Sequence, residues 1–171
     1  RVLFRSPDGS RLWTLCQSPL NNGADKRVKQ AGNVRLLAFD PMANAVAAEH
    51  VYRLGDPAAA GYLTKGATAS RDGKLCGMTA IDGDSLLIIE QDDTGAMSLY
   101  EVGLLGATDT LTLPSSHHGF VLDETCDLVA AGIKPVSKQL VADLSSLLPA
   151  MRRAVYGKDA GPREGEMKIE G

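Results

Sequence analysis

One local pattern occurs twice in this chain and constrains its fold more than any other feature. Asp8-Gly9-Ser10-Arg11-Leu12-Trp13-Thr14-Leu15-Cys16-Gln17 and Asp82-Gly83-Asp84-Ser85-Leu86-Leu87-Ile88-Ile89-Glu90-Gln91 share an Asp-Gly turn, two polar residues, an apolar stretch and a closing Gln, 74 positions apart. Glycine supplies the positive φ that a tight hairpin turn needs, so each copy reads as a turn feeding a short strand. Further strands are expected at Val34–Phe39, Val46–Tyr52, Lys74–Ile81 and Met97–Val102. Strands this short and this closely spaced predict an antiparallel meander. Repetition of such a meander points to radial blades of about four strands each, the propeller architecture. A tandem sandwich, or two unrelated hairpins, would produce the same local match.

A repeat of this size divides the 171 residues into approximate units at 1–64 and 65–143, a helix and loop insertion at 144–166, and the start of a third blade at 167–171. The expected fold class is therefore all-β, a partial propeller with a short helical insertion. The helix is read from Leu144, Leu147, Leu148, Met151 and Val155, spaced three and four apart behind Asp143 and Ser145; Pro149 limits or kinks it unless it opens a second short helix. Two blades cannot close a ring, and their open edges expose unpaired backbone and apolar faces, so an isolated chain of this kind is expected to be poorly stable or to self-associate. The first residue is Arg1 rather than Met, which suggests a piece of a longer protein.

A net charge of -3 and dispersed Lys and Arg give no basic stripe for a phosphate backbone, which argues against nucleic-acid binding. The longest clean apolar run, Leu86-Leu87-Ile88-Ile89, is far too short for a membrane-spanning helix. Cys16, Cys76 and Cys126 have no metal-ligand spacing, and an odd number cannot all pair. They read as small buried apolar residues, with one disulfide or a reactive thiol as the alternatives. Trp13 is expected in the core between blades. Asp82-Gly83-Asp84 and Asp92-Asp93 read as turn chemistry rather than a calcium loop, and His117-His118 as exposed loop residues. There is no G-x-S-x-G elbow and no phosphate-cradling G-x-x-x-x-G-K-[ST] loop.

Several segments, taken in order, resemble the phytase-like family, propeller modules associated with esterase-like activity of phytase. They are Ser6-Pro7-Asp8-Gly9, Gln17-Ser18-Pro19-Leu20, Arg35-Leu36-Leu37-Ala38-Phe39-Asp40, Val51-Tyr52-Arg53-Leu54, Leu87-Ile88-Ile89-Glu90-Gln91-Asp92, Lys138-Gln139-Leu140-Val141-Ala142-Asp143-Leu144 and Lys168-Ile169-Glu170-Gly171. Gln91 stands where the family usually has Arg, and Arg1-Val2-Leu3-Phe4 stands where it has Glu-Gly-Leu. The resemblance implies an exported protein, secreted or periplasmic, acting on a small-molecule phosphate ester, with calcium bridging the phosphate and an activated water. It implies Glu90 and Glu170 as metal ligands, and Gln17, Glu90 and Glu170 as substrate-binding residues, with the rest of the parent propeller needed to close the ring. The alternative is a non-catalytic propeller that binds a ligand or a partner.

Overall fold

Both Asp-Gly turns form, and the side chain of the Asp organises each one. Asp8 accepts hydrogen bonds from Ser6 Oγ (2.6 Å), Ser10 Oγ (2.9 Å) and Ser10 N (3.0 Å), and Gly9 takes φ 73°. Those donors favour the charged carboxylate and hold its pKa down at about 2. In the second turn Asp82 Oδ1 accepts from Asp84 N at 2.9 Å.

The computed structural model describes residues 2–20, 25–66, 73–92, 96–114 and 120–156. Strands β1 (Val2–Arg5), β2 (Leu12–Leu15), β3 (Asn33–Asp40) and β4 (Ala45–Arg53) form one antiparallel sheet in that order. Strands β5 (Lys74–Ala80), β6 (Ser85–Gln91), β7 (Met97–Gly103) and β8 (Ser137–Asp143) form a second sheet in the same order. Helix α1 (Asp25–Ala31) lies between β2 and β3, α2 (Phe120–Glu124) between β7 and β8, and α3 (Leu144–Tyr156) follows β8. The fold is all-β, with two four-stranded antiparallel units of the kind expected for propeller blades. The expected start of a third, at 167–171, lies outside the described residues.

The sheets pack face to face because period-two alternation gives each one an apolar face. Trp13, Leu15, Val34, Leu36, Ala38 and Tyr52 of the first sheet meet Leu75, Met78, Leu86, Ile88, Tyr100 and Val102 of the second in one buried cluster. Trp13 is therefore core between blades, as expected. Its ring stacks at 28° on His50, with centroids 6.4 Å apart, and its indole Nε1 has no hydrogen-bond partner. The backbone also joins the sheets where β2 ends, since Leu75 N donates to the Gln17 carbonyl at 2.8 Å.

The connection from β7 to β8, described over 104–114 and 120–136, does not stay with its own sheet. It crosses to the outer edge of β4, where Val136 N donates to the Val51 carbonyl (2.9 Å) and Thr110 Oγ1 to the Glu49 carbonyl (3.1 Å). In return, Glu49 N donates to Asp109 Oδ1 (3.1 Å) and His50 Nδ1 to the Thr108 carbonyl (3.0 Å). Val51, Leu122, Leu128 and Ile133 form a second apolar cluster beneath it. An edge strand with unpaired backbone is thereby covered.

Asp143 caps α3 by accepting from Ser145 N at 2.9 Å, as its position in the sequence suggests. The helix runs through Pro149 without a break into two. The three cysteines are thiols, each partly buried.

Candidate functional site

Alternation along β6 turns Leu86, Ile88 and Glu90 toward the first sheet, which places a carboxylate at the end of an apolar stripe. Glu90 is 8% exposed, and both of its oxygens are engaged. Oε1 accepts from Gly55 N at 2.6 Å, while Oε2 accepts from Tyr52 Oη at 2.7 Å and from Lys138 Nζ at 2.7 Å. Tyr52 and Gly55 belong to the first sheet and the segment leaving it; Glu90 and Lys138 belong to the second. This ion pair bridges the two units.

Lys138 uses its remaining donors on the carbonyls of Gly55 (2.8 Å) and Arg53 (3.1 Å). Its ammonium also lies 4.5 Å from the ring centre of Tyr52 and 4.1 Å from that of Tyr100, distances at which a ring face attracts a cation. Burial lowers the pKa of Lys138, and Glu90 opposes that shift. Burial raises the pKa of Tyr52 well above the ordinary tyrosine value and also raises those of Tyr62 and Tyr100, with the charge of Glu90 adding to each.

One strand position away, Arg53 is 0% exposed and, among the described residues, hydrogen-bonds to no carboxylate, though the charge of Asp127 acts on it. Its five N–H groups are all used, on Asn33 Oδ1 (3.1 Å) and on the carbonyls of Tyr62 (2.9 Å), Thr125 (3.0 Å) and Cys126 (2.8 Å from each terminal nitrogen). Tyr62 Oη donates back to the Arg53 carbonyl at 2.7 Å. Burial lowers the pKa of this guanidinium. A third ionic group holds α2 to the sheet: Arg35 grips Asp123 with Nε (3.2 Å) and Nη2 (2.9 Å) and reaches Glu49 at 3.3 Å. Burial raises the pKa of Asp123, against the pull of Arg35.

Beside these networks lies an open cleft of about 530 Å³ between residues 57–64 and 129–138. Leu63, Val129, Pro135 and Val136 give it apolar walls, Tyr62 and Lys138 line it from within, and Lys134 supplies an exposed cation. Among the described residues no carboxylate lines it.

The sequence profile of the phytase-like family, described as esterase-like activity of phytase, matches residues 3–165. The chain belongs to the phytase-like family. No curated protein and no solved structure matches it.

Of the three residues that the resemblance assigns to the site of this phytase-like chain, the two that lie within the described residues are placed differently. Gln17 has an exposed side chain at the junction of β2 and β5, where its carbonyl takes the Leu75 amide. Glu90 starts from the same junction, because Leu75 is its partner across the strands, yet its side chain turns inward. Glu170 lies outside the described residues. Calcium needs six to eight oxygen ligands. The Glu90 carboxylate does not fit that need, since its oxygens hold Tyr52, Gly55 and an ammonium group that would repel a second cation. Among the described residues no three His, Cys, Asp or Glu side chains gather into a metal-holding group, and no helix is long and apolar enough to cross a membrane. Asp82 closes its own turn, as expected, while Asp93 and His117-His118 lie outside the described residues.

Sequence reasoning missed Lys138, Tyr52, Arg53 and Arg35 as buried polar anchors. All four stand in segments that carry the family resemblance, so the signal was present. Their role was not, because it depends on which sheet each side chain faces.

Proposed function

We propose that this chain forms part of an exported phytase-like propeller, secreted or periplasmic, that acts on small phosphoric esters. The family match over residues 3–165 carries this reading. The cleft beside Lys138 supports a binding role: apolar walls suit the organic part of an ester, and Lys134 presents a point charge to its phosphate, while the nearby Glu90 carboxylate is paired with Lys138. A divalent metal, calcium by the family reading, would draw its ligands from groups other than Glu90. The decisive assay is phosphate release from phytate or an aryl phosphate by the purified protein, with and without calcium. Turnover that falls at least fivefold in Lys134→Ala is the expected result. The absence of phosphate release under both conditions would contradict the hydrolytic reading.

The second reading is a non-catalytic propeller that binds such a ligand. Full engagement of Glu90 favours it, because the carboxylate best placed for chemistry is already paired with Lys138. Binding of an aryl phosphate that weakens in Lys134→Ala, without turnover, would select this reading.

A further inference from the structure

One wall of the cleft leaves β4 and the other leads into β8, and hydrogen bonds fix the two walls together. Leu128 N donates to the Leu63 carbonyl at 2.9 Å, which ties one wall to the other. Arg53 reinforces that tie by holding the Tyr62 carbonyl of one wall (2.9 Å) and the Cys126 carbonyl just before the other (2.8 Å). Lys134 is fixed at its backbone by Thr108, whose N–H donates to the Lys134 carbonyl (2.8 Å) and whose hydroxyl accepts from Lys134 N (2.9 Å). Most polar groups of the lining are engaged within the protein. Lys138 is paired with Glu90 and its side chain is 1% exposed, so its charge is both offset and enclosed. Tyr62 Oη donates to the Arg53 carbonyl, and Ser137 Oγ to the Gly103 carbonyl at 3.3 Å. Lys134 is exposed, and among the described lining residues its ammonium is the one charge that a ligand can reach. Around it the walls are apolar, with Val129 60% exposed.

We propose that this cleft selects phosphoric esters that carry a single phosphate on an apolar organic group, and disfavours polyphosphorylated polyols such as phytate. The inference rests on the reading of the cleft as the ester site and adds to it the class of ester. A phosphate monoester carries a charge of about −1.5 to −2 near neutral pH. One ammonium, that of Lys134, answers one such group. The remaining phosphates of phytate would leave water for walls formed by Leu63, Val129 and Pro135, which offer no charged side chain in exchange. Moving a charge out of water without a partner is costly, and phytate incurs that cost several times over. An aryl or alkyl group gains from the same walls, because its own apolar surface leaves water on binding.

Isothermal titration calorimetry of the purified chain with naphthyl phosphate, glycerol phosphate and phytate tests this. The titrations are run at about 0.15 M ionic strength, where exposed charges more than about 8 Å apart are largely screened. Naphthyl phosphate is expected to bind at least about tenfold more tightly than either of the others. Lys134→Ala should weaken naphthyl phosphate and glycerol phosphate alike, because it removes the charge that both use. Val129→Ser should lower the preference for naphthyl over glycerol phosphate about fourfold, the effect of roughly one buried methylene, and a general loosening of the structure would not move that ratio. Both side chains are exposed, so both variants are expected to fold, which circular dichroism checks. Phytate binding as tightly as naphthyl phosphate, or a preference unaltered in Val129→Ser, would overturn the choice of ester and leave the ester site standing. Absence of binding by all three would overturn the site itself and the choice with it.

Discussion

At the residue scale, the buried ion pair between Glu90 and Lys138 dominates the behaviour of this chain. Removing one partner of such a pair leaves a charge stranded away from water. Lys138→Met is therefore expected to lower the unfolding free energy by about 3 to 5 kcal/mol, measured by urea denaturation. The double variant Glu90→Gln, Lys138→Met should recover part of that loss, because it strands no charge. The tyrosines around the pair set an alkaline limit. Their folded pKa values are raised, so the stability they contribute is complete below the unfolded value and is lost as pH rises through the folded one. The fall begins near pH 10, about the pKa of an unfolded tyrosine. Lys138 works in the opposite direction: its lowered pKa makes stability rise with pH up to the unfolded lysine value. Melting curves across pH 8 to 12 should accordingly hold level and then drop, with a shallower drop in Tyr52→Phe.

At the scale of elements, the packing of the 54–66 segment against α1 depends on Gly66. Its φ is 91°, and a Cβ there would overlap the Gln30 carbonyl. Gly66→Ala is expected to cost more than about 2 kcal/mol, because both the φ and the space are wrong for a side chain. A denaturation midpoint equal to that of the parent would contradict this placement. Strands β2 to β7 were legible in the sequence because alternation and turn chemistry are local, whereas β1 and β8 were not read as strands. Leu86 and Ile88 announce their face, and Asp8-Gly9 and Asp82-Gly83 announce their turns. α1, α2 and the course of 104–136 over β4 were not legible, since helices of seven and five residues carry too little periodicity and the path is set by a distant edge strand. Glu90 was singled out for chemistry because a Glu at a strand end is legible. Its commitment to Tyr52, Gly55 and Lys138 depends on contacts 35 to 48 positions away, which no local pattern records.

On the scale of the whole molecule, an apolar face and one charged bridge hold two like sheets together, and the residues that line the bridge also line the neighbouring cleft. Tyr62 contacts the Arg53 network on one side and the cleft on the other. A ligand in the cleft is thus expected to tighten the contact between the sheets: adding an aryl phosphate should slow hydrogen exchange at Gly55 and Tyr62. Glu90 joins the two units through Lys138, and its carboxylate oxygens are taken by Tyr52, Gly55 and Lys138. The most direct measurement is the melting temperature of the parent chain and of Glu90→Gln, each with and without calcium. The substitution is expected to lower Tm by about 5 to 10 °C, equally in both conditions. A calcium-dependent rise in Tm that is present in the parent and lost in Glu90→Gln would contradict it.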